Sequence, residues 1–430
     1  MAPFLVMAKL KQAWLCSSGL TKTFSNPRRP TGDTLLTVYR ASAARFPFAA
    51  AARGRYVLRR STLMGGEPFF SAHAVWVARQ LKNIVSMKKL FALAACIVLA
   101  AASAVAQDLK FNADGKFKIL QLTDVHYNNS DASKAALQVI DNVISQEKPD
   151  LVVLTGDIIW GPPGKENLLT VLNRISKHNV PFVYEFGNHD WEQGPTNRDL
   201  YNLARGVKNN VLPDLTGTKE LDYVVTIKDR TGKKDAALIY CLDSHAYPKG
   251  FPADKSKGTY AWLTFDQVNW YRQQSQAYKD ANGGATLPAL AFFHIGLPEF
   301  NQAADNGYSP LIGTRREHVF GPEFNTGMFT AMMEGGDVMG IFVGHDHNND
   351  YTTLWHNIVL GFGRYSGGNT VYNHLKAGAR VIVLEEGQRR FSSHIREWDG
   401  NVCNTASIPT ATWMTTGQSV RCRNMSNKNS

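Results

Sequence analysis

The sequence predicts an α/β fold, and three observations lead there. From residue 117 onward, short apolar runs alternate with amphipathic segments, as layered packing of strands and helices requires. One run, LVVLT at 151–155, is apolar at successive positions, the pattern of a strand covered on both faces. Several runs end in Asp, Asn or His, and in open α/β folds the carboxyl ends of strands are where ligands collect.

Residues 118–123 (KILQLT) read as the first strand and 133–146 as the helix that follows. The second strand is 151–155, the second helix 166–177, and the third strand 181–186 (PFVYEF). Residues 223–227 and 236–242 flank a polar turn at 229–234 and read as an antiparallel pair. A helix over 264–279 carries Phe265, Val268 and Tyr271 on one side. Further strands are expected at 290–293, 338–343, 357–360, 379–384 and 391–396, with a short helix at 325–334. The main domain is therefore placed at 107–398. Beyond Asp399 the chain turns polar and rich in Ser, Thr and Asn, so 399–430 reads as a lid, an edge or a frayed tail.

The 430 residues are 44% hydrophobic and 19% charged, which excludes a disordered chain, a collagen and a small disulfide scaffold. The net charge of +11 would suit a polyanion-binding protein if it were evenly spread. It is not. Residues 1–106 hold 15 Lys and Arg against only Asp33 and Glu67, which leaves the remainder near −2. Bulk nucleic-acid binding is not expected.

Within that basic segment, residues 87–106 (MKKLFALAACIVLAAASAVA) have the three parts of a secretory signal peptide. The Ala104-Val105-Ala106 triplet suggests cleavage before Gln107. A retained anchor fits less well, because the apolar run is short for a bilayer span. A lipoprotein signal also fits less well, because the run continues past Cys96. Residues 1–86 read as a spurious upstream extension or a disordered basic segment, and no function is rested on them. The expected location is secreted or periplasmic, with no stable membrane anchor. Cys241 sits in an apolar run and reads as a buried small hydrophobe. Cys403 and Cys422 lie where an oxidising compartment would permit a disulfide.

The chemistry lies at five strand ends. They supply Asp124-Val125-His126, Gly156-Asp157, Gly187-Asn188-His189-Asp190, His294 and Gly344-His345-Asp346-His347. If the backbone stays extended, residues two apart face the same way, so Asp124 can join His126, and His345 can join His347. Gly156, Gly187 and Gly344 allow tight turns and close approach. Taken singly, Asp157 suits a helix cap, His294 a satisfied core histidine and GNHD a polar turn. Taken in this order at strand ends, the group suits ions ligated by nitrogen and oxygen.

The combined pattern of Asp-x-His, Gly-Asp, Gly-Asn-His-Asp, His and Gly-His-x-His resembles the calcineurin-like metallophosphoesterases over about residues 117–368. Within them it looks closest to the secreted branch related to purple acid phosphatases, on HIGLPEF at 294–300 and GHDHNNDY at 344–351. The resemblance implies a four-layer α/β/β/α sandwich holding two metal ions. It implies that Asp124, His126 and His347 bind one ion, that Asn188, His294 and His345 bind the other, and that Asp157 bridges them. The ions would be divalent or mixed-valence Fe, Mn or Zn, about 3.5–4 Å apart, activating a hydroxide and clamping the phosphoryl oxygens. His189 would assist the leaving group as an acid or a hydrogen-bond donor.

Purple members of that branch carry a metal-binding Tyr three residues after the bridging Asp, and here Trp160 stands at that position. The expected enzyme is therefore not purple. Trp160 is left as a pocket wall, a leaving-group platform or plain packing. Asp190 either orients His189 or caps the turn, while Glu185 and Asp346 are candidates to hydrogen-bond a ligating imidazole. Trp191, Arg198, His245, Tyr247, Arg364 and Tyr365 are candidates for the rim. Arg364 reads equally as a phosphate contact or a surface ion pair, and Ser244-His245 as a surface turn. The expected activity is hydrolysis of small phosphomonoesters. The alternatives are a phosphodiesterase for nucleotides or lipid head groups, and a non-catalytic protein on the same fold.

Overall fold

The computed structural model describes residues 109–248 and 260–408. Residues 1–86, the signal segment 87–106 and Cys422 lie outside them. The described chain forms two mixed six-stranded sheets with helices on their outer faces, a four-layer α/β/β/α sandwich.

The first sheet has the strand order β12-β11-β10-β1-β2-β3. Its parallel half consists of β1 (Lys116–Leu122), β2 (Leu151–Thr155) and β3 (Phe182–Glu185). Helices α1 (Asp131–Glu147) and α2 (Gly164–Ser176) connect them. Ser130 starts α1 by accepting from the Ser133 N–H, and α1 packs on β1, β10 (Gly378–Glu385) and β11 (Phe391–Glu397). Strand β12 (Val402–Ile408) extends this sheet as an edge, one of the forms left open by the polar composition beyond Asp399. Cys403 on it is disulfide-bonded, and Cys241 is buried and free.

The second sheet has the order β4-β5-β6-β7-β9-β8. The expected hairpin is present as β4 (Tyr223–Lys228) and β5 (Asp235–Cys241), paired antiparallel. Strands β6 (Ala289–Phe292), β7 (Val338–Val343) and β9 (Ile358–Phe362) continue it in parallel, and β8 (Thr352–Trp355) closes it. Helix α3 (Asn197–Arg205), with Leu200, Tyr201 and Ala204 on its buried face, β8 and the short α5 (Glu299–Asp305) add to the elements expected from the sequence. Helix α4 (Phe265–Ala281) corrects one expectation. Phe265 is 74% exposed, and the buried face runs through Gln267, Tyr271, Ser275 and Tyr278 instead. Helix α6 (Met328–Gly335) packs against it.

The sheets meet through apolar side chains, with Phe342 of β7 against Phe391 of β11 at 5.8 Å between ring centroids. A polar tie joins them at the functional end, where the Gln121 amide donates to the Val343 carbonyl at 3.1 Å. The parallel strands of both sheets thus finish at one edge of the sandwich. Among the described residues, no helix is long and apolar enough to cross a membrane.

Candidate metal centre

Five loops leave that edge, after β1, β2, β3, β6 and β7, and each brings expected donors to one place. Ligand atoms of Asp124, His126 and His347 lie within 4.8 Å of one another, as do those of Asp157, His294 and His345. Asp157 links the two groups, its Oδ2 standing 3.4 Å from His126 Nε2 and 3.2 Å from His294 Nε2. Asn188 Oδ1 is 3.2 Å from His294 Nε2. A third group joins His126, Asp157 and His189 within the same span, so His189 also lies within ligating reach.

The donors do not converge by extended alternation. Asp124, His126, Asp157 and His345 have φ of 54°, 49°, 52° and 76°, all left-handed. Asp and His tolerate that region better than most residues, and N–H bonds to neighbouring strand ends hold it, accepted by backbone carbonyls for Asp124 and His126 and by the Asp190 and Asp124 carboxylates for Asp157 and His345. The Asp124 N–H donates to Gly156 O at 3.1 Å and that of His126 to Asp157 O at 3.0 Å. Gly156 turns at φ +83°, and a Cβ there would stand 2.7 Å from His294 Nδ1. A Cβ on Gly187 would collide with Asp157 Oδ1. Both glycines serve close approach, as expected.

Asp190 caps the turn and does not orient His189. Its carboxylate accepts from the N–H groups of Asp157, Ile158, Ile159 and Gly187 at 2.8–3.1 Å. The group that holds His189 is Glu192, with Oε2 at 2.6 Å from Nδ1. Sequence reasoning missed it. The signal is an acid three residues on in the short 3-10 turn Asp190–Gln193, where positions i and i+3 lie over one another.

Donor chemistry tests the fit to a cation. His294 Nδ1 lies 2.8 Å from the Thr155 carbonyl, which calls for a proton on that nitrogen. Its Nε2 then faces only acceptors, Asp157 Oδ2 and Asn188 Oδ1. Nitrogen and oxygen lone pairs aimed at one another need a positive centre between them, either a proton or a metal ion. His347 repeats the arrangement, with Nδ1 at 2.9 Å from Tyr372 O and Nε2 at 3.5 Å from Asp124 Oδ1. The outer partners of His294 and His347 are thus backbone carbonyls, not Glu185 or Asp346. Asp346 accepts from Phe320 N–H at 3.3 Å, and Glu185 is wholly buried among Tyr223, Cys241, Asp222 and Asp243.

The electrostatics divide the histidines. Burial and the neighbouring charge of His347 push His126 down to about 3, and burial with His294 does the same to His345, also about 3. Both are neutral, as ligands must be. Burial opposes charge on His294 too, but the Asp157 carboxylate outweighs it and raises His294 to about 10. Asp157 is correspondingly held well below the usual carboxylate range, burial being outweighed chiefly by His294. Burial, then Asp157, raises Asp190 to about 7. The residues fit two transition-metal ions, and the centre is a dinuclear metal-binding site with His and Asp ligands.

The rim differs from expectation at several points. Arg364 reaches neither phosphate nor surface, being buried with Nε at 2.9 Å from Asp350 Oδ2 and Nη1 at 3.2 Å from Glu397 Oε1. Arg198 donates to Leu215 O and Thr218 O, stapling a loop. Ser244 is buried and accepts from Ile295 N–H, while His245 Nε2 meets Gln267 Oε1, so this is no surface turn. Tyr365 is buried, with its hydroxyl donating to Gly368 O. Trp160 is at the site, 6.1 Å from the His126 ring and 6.4 Å from that of His189. Tyr247 lies beside Asn188 and Glu192, whereas Trp191 is exposed. Tyr260 and Tyr372, which sequence reasoning did not single out, pack on His345 and His347 at 4.4 and 4.5 Å.

Residues 117–349 match the family model described as calcineurin-like phosphoesterase. Among curated proteins, the chain is similar to "Probable inactive purple acid phosphatase 14" of Arabidopsis thaliana, at 30% identity over 66% of this chain and 78% of that one. "Probable inactive purple acid phosphatase 29" of the same plant is 30% identical over 69% and 84% of the two chains. "Phosphatase DCR2" of Saccharomyces cerevisiae is 31% identical over 57% of this chain, which spans about half of that relative at 46%. Among solved structures, a dimetal phosphatase from Danio rerio aligns with a TM-score of 0.47 at 14% identity, over 68% of this chain and 98% of that one.

Proposed function

The chain belongs to the calcineurin-like phosphoesterase family, and we propose that it is a secreted or periplasmic hydrolase of small phosphoesters, with phosphomonoesters first. The observation that carries this reading is the convergence of Asp124, His126, Asp157, Asn188, His294, His345 and His347 with His189 beside them. Asp124, His126 and His347 would hold one ion, Asn188, His294 and His345 the other, and Asp157 both. When bound, two such ions supply positive charge to the phosphoryl oxygens and lower the pKa of water.

Hydrolysis adds the elements of water across the P–O bond, with oxygen to phosphorus and a proton to the departing oxygen. His189 would give that proton. Its Nδ1 is engaged by Glu192, which orients the ring and leaves the other nitrogen for the substrate. Its backbone N–H donates to Asp157 Oδ1 at 2.8 Å, so the acid and the bridging carboxylate keep one register.

A phosphodiesterase reading has one observation in its favour. Arg364, a sequence candidate for a phosphate contact, is occupied by Asp350 and Glu397. The names of the plant relatives carry the word "inactive", yet here the full donor set and His189 stand together. The test is metal content of the purified chain with a rate screen over p-nitrophenyl phosphate and its bis ester. About two transition-metal ions per chain with turnover is expected. Substoichiometric metal in metal-replete medium, with no turnover of either ester, would leave a non-catalytic protein on this fold.

A further inference from the structure

We propose that Trp160 is the surface on which the leaving group stacks, so that the enzyme selects phosphoesters of phenols over those of aliphatic alcohols. The proposal rests on the hydrolase reading above and names the substrate class of that same site. Three rings form a triangle over one metal group, with His126 to His189 at 5.6 Å, His126 to Trp160 at 6.1 Å and His189 to Trp160 at 6.4 Å. Among the described aromatic side chains, only Trp160 lies against both a proposed ligand and the proposed leaving-group acid.

Trp160 is 37% exposed, so part of its ring is open to a ligand at the mouth of the site. Its position is nonetheless held. The Trp160 N–H donates to Tyr127 O at 3.0 Å, and the preceding Ile159 N–H donates to the Asp190 carboxylate that frames the metal turn. The main chain that carries the ring is thus tied to the same scaffold as Asp157. The other aromatic groups at the rim pack on different ligands, away from His189. Tyr372 stacks on His347, while Tyr260 abuts His345 and stacks on Tyr247 at 5.7 Å.

In an in-line displacement the departing oxygen leaves on the side of its proton donor. A ring bonded directly to that oxygen, beside His189, falls within aromatic contact range of Trp160. A flexible aliphatic arm offers no face to stack, and a nucleobase lies a whole sugar farther out. Phenolic esters are therefore the class that this spacing favours.

The test compares the full, metal-loaded chain with Trp160→Ala and Trp160→Phe on three probes. These are phenyl phosphate, trifluoroethyl phosphate as an aliphatic ester with an acidified leaving group, and uridine 5′-monophosphate. Each variant is referred to wild type on the same probe, so intrinsic leaving-group reactivity cancels. The phenyl-to-trifluoroethyl ratio of kcat/KM should fall about 10-fold in Trp160→Ala and recover to within about threefold in Trp160→Phe. An unchanged ratio in Trp160→Ala overturns the proposal, and so does a loss on the nucleotide as large as that on phenyl phosphate. No wild-type turnover of any of these probes, nor of bis(p-nitrophenyl) phosphate run beside them, overturns the hydrolase reading itself, and the wild-type rates alone tell that failure from the other two.

Discussion

His189 Nδ1 and Glu192 Oε2 stand 2.6 Å apart, one turn of 3-10 helix from each other, at the mouth of the metal centre. Holding one ring nitrogen by a carboxylate aligns the other, so Glu192→Gln should weaken proton delivery without touching the metal donors. We expect kcat to fall about 10-fold on alkyl phosphates and less on p-nitrophenyl phosphate, whose leaving group needs little help. Leaving-group dependence of the rate is the measurement. An equal loss on both esters would reduce Glu192 to a structural contact.

His189→Ala should lower turnover by about 10²–10⁴-fold while metal content is kept. Metal analysis of the variant decides the role, because His189 also lies within ligating reach of His126 and Asp157. Loss of an ion would make it a ligand.

Asp157→Asn should weaken both metal sites together, since Asp157 Oδ2 faces His126 and His294 alike. Titration with Mn²⁺ or Zn²⁺ followed by calorimetry should show two weakened steps. Selective loss of one step would argue against a bridging carboxylate.

Asp190→Ala removes the acceptor of four buried N–H groups. Each unsatisfied group costs about 1–3 kcal/mol, so a drop in Tm is expected together with weaker metal binding, although Asp190 is not itself placed as a ligand. Thermal unfolding of the metal-free chain isolates the first effect. An unchanged Tm would contradict the capping role.

Glu185 is wholly buried beside Tyr223, Cys241 and the carboxylates of Asp222 and Asp243. Burial, with Asp243 and Asp222 nearby, pushes its pKa well above the usual carboxylate range. The folded chain therefore keeps a proton that the unfolded chain gives up, starting from about pH 4.3. Stability from this group is full below that value and is lost as pH rises toward the folded pKa, at up to about 1.4 kcal/mol per pH unit. Glu185→Gln should remove this slope, so its Tm gains on wild type as pH is raised from 4 to 8. Parallel Tm profiles would show that Glu185 is already ionised or well solvated.

Most of the fold was legible because the information was local. LVVLT at Leu151–Thr155 and VMGIFV at Val338–Val343 are strands at the expected residues, since a run buried on both faces needs no outside knowledge to be recognised. Phe265 misled because helical spacing specifies which residues share a face but not which face is covered. The identities of the site donors were legible for the same local reason, each standing just past an apolar run. Asp190 was singled out with its role open and Glu192 was missed, because both sit in one short turn and their partners are settled by which way it folds. Arg364 was misplaced because no local pattern marks an arginine that will be buried against Asp350.

By itself, the sequence determined which chemical groups the protein would bring to strand ends, and in what order, because apolar runs and their polar terminators are read along the chain. Only the tertiary structure decided which of them meet. Asp124 and His126 are held in left-handed turns by backbone bonds to the neighbouring strand end, Asp157 and His345 by N–H bonds to the carboxylates of Asp190 and Asp124, and that conformation, not strand alternation, aims their side chains. Two sheets ending at one edge then close the gap from Asp157 to His294 to 3.2 Å. Contacts between residues so far apart depend on how the layers pack, and no local run of residues encodes that.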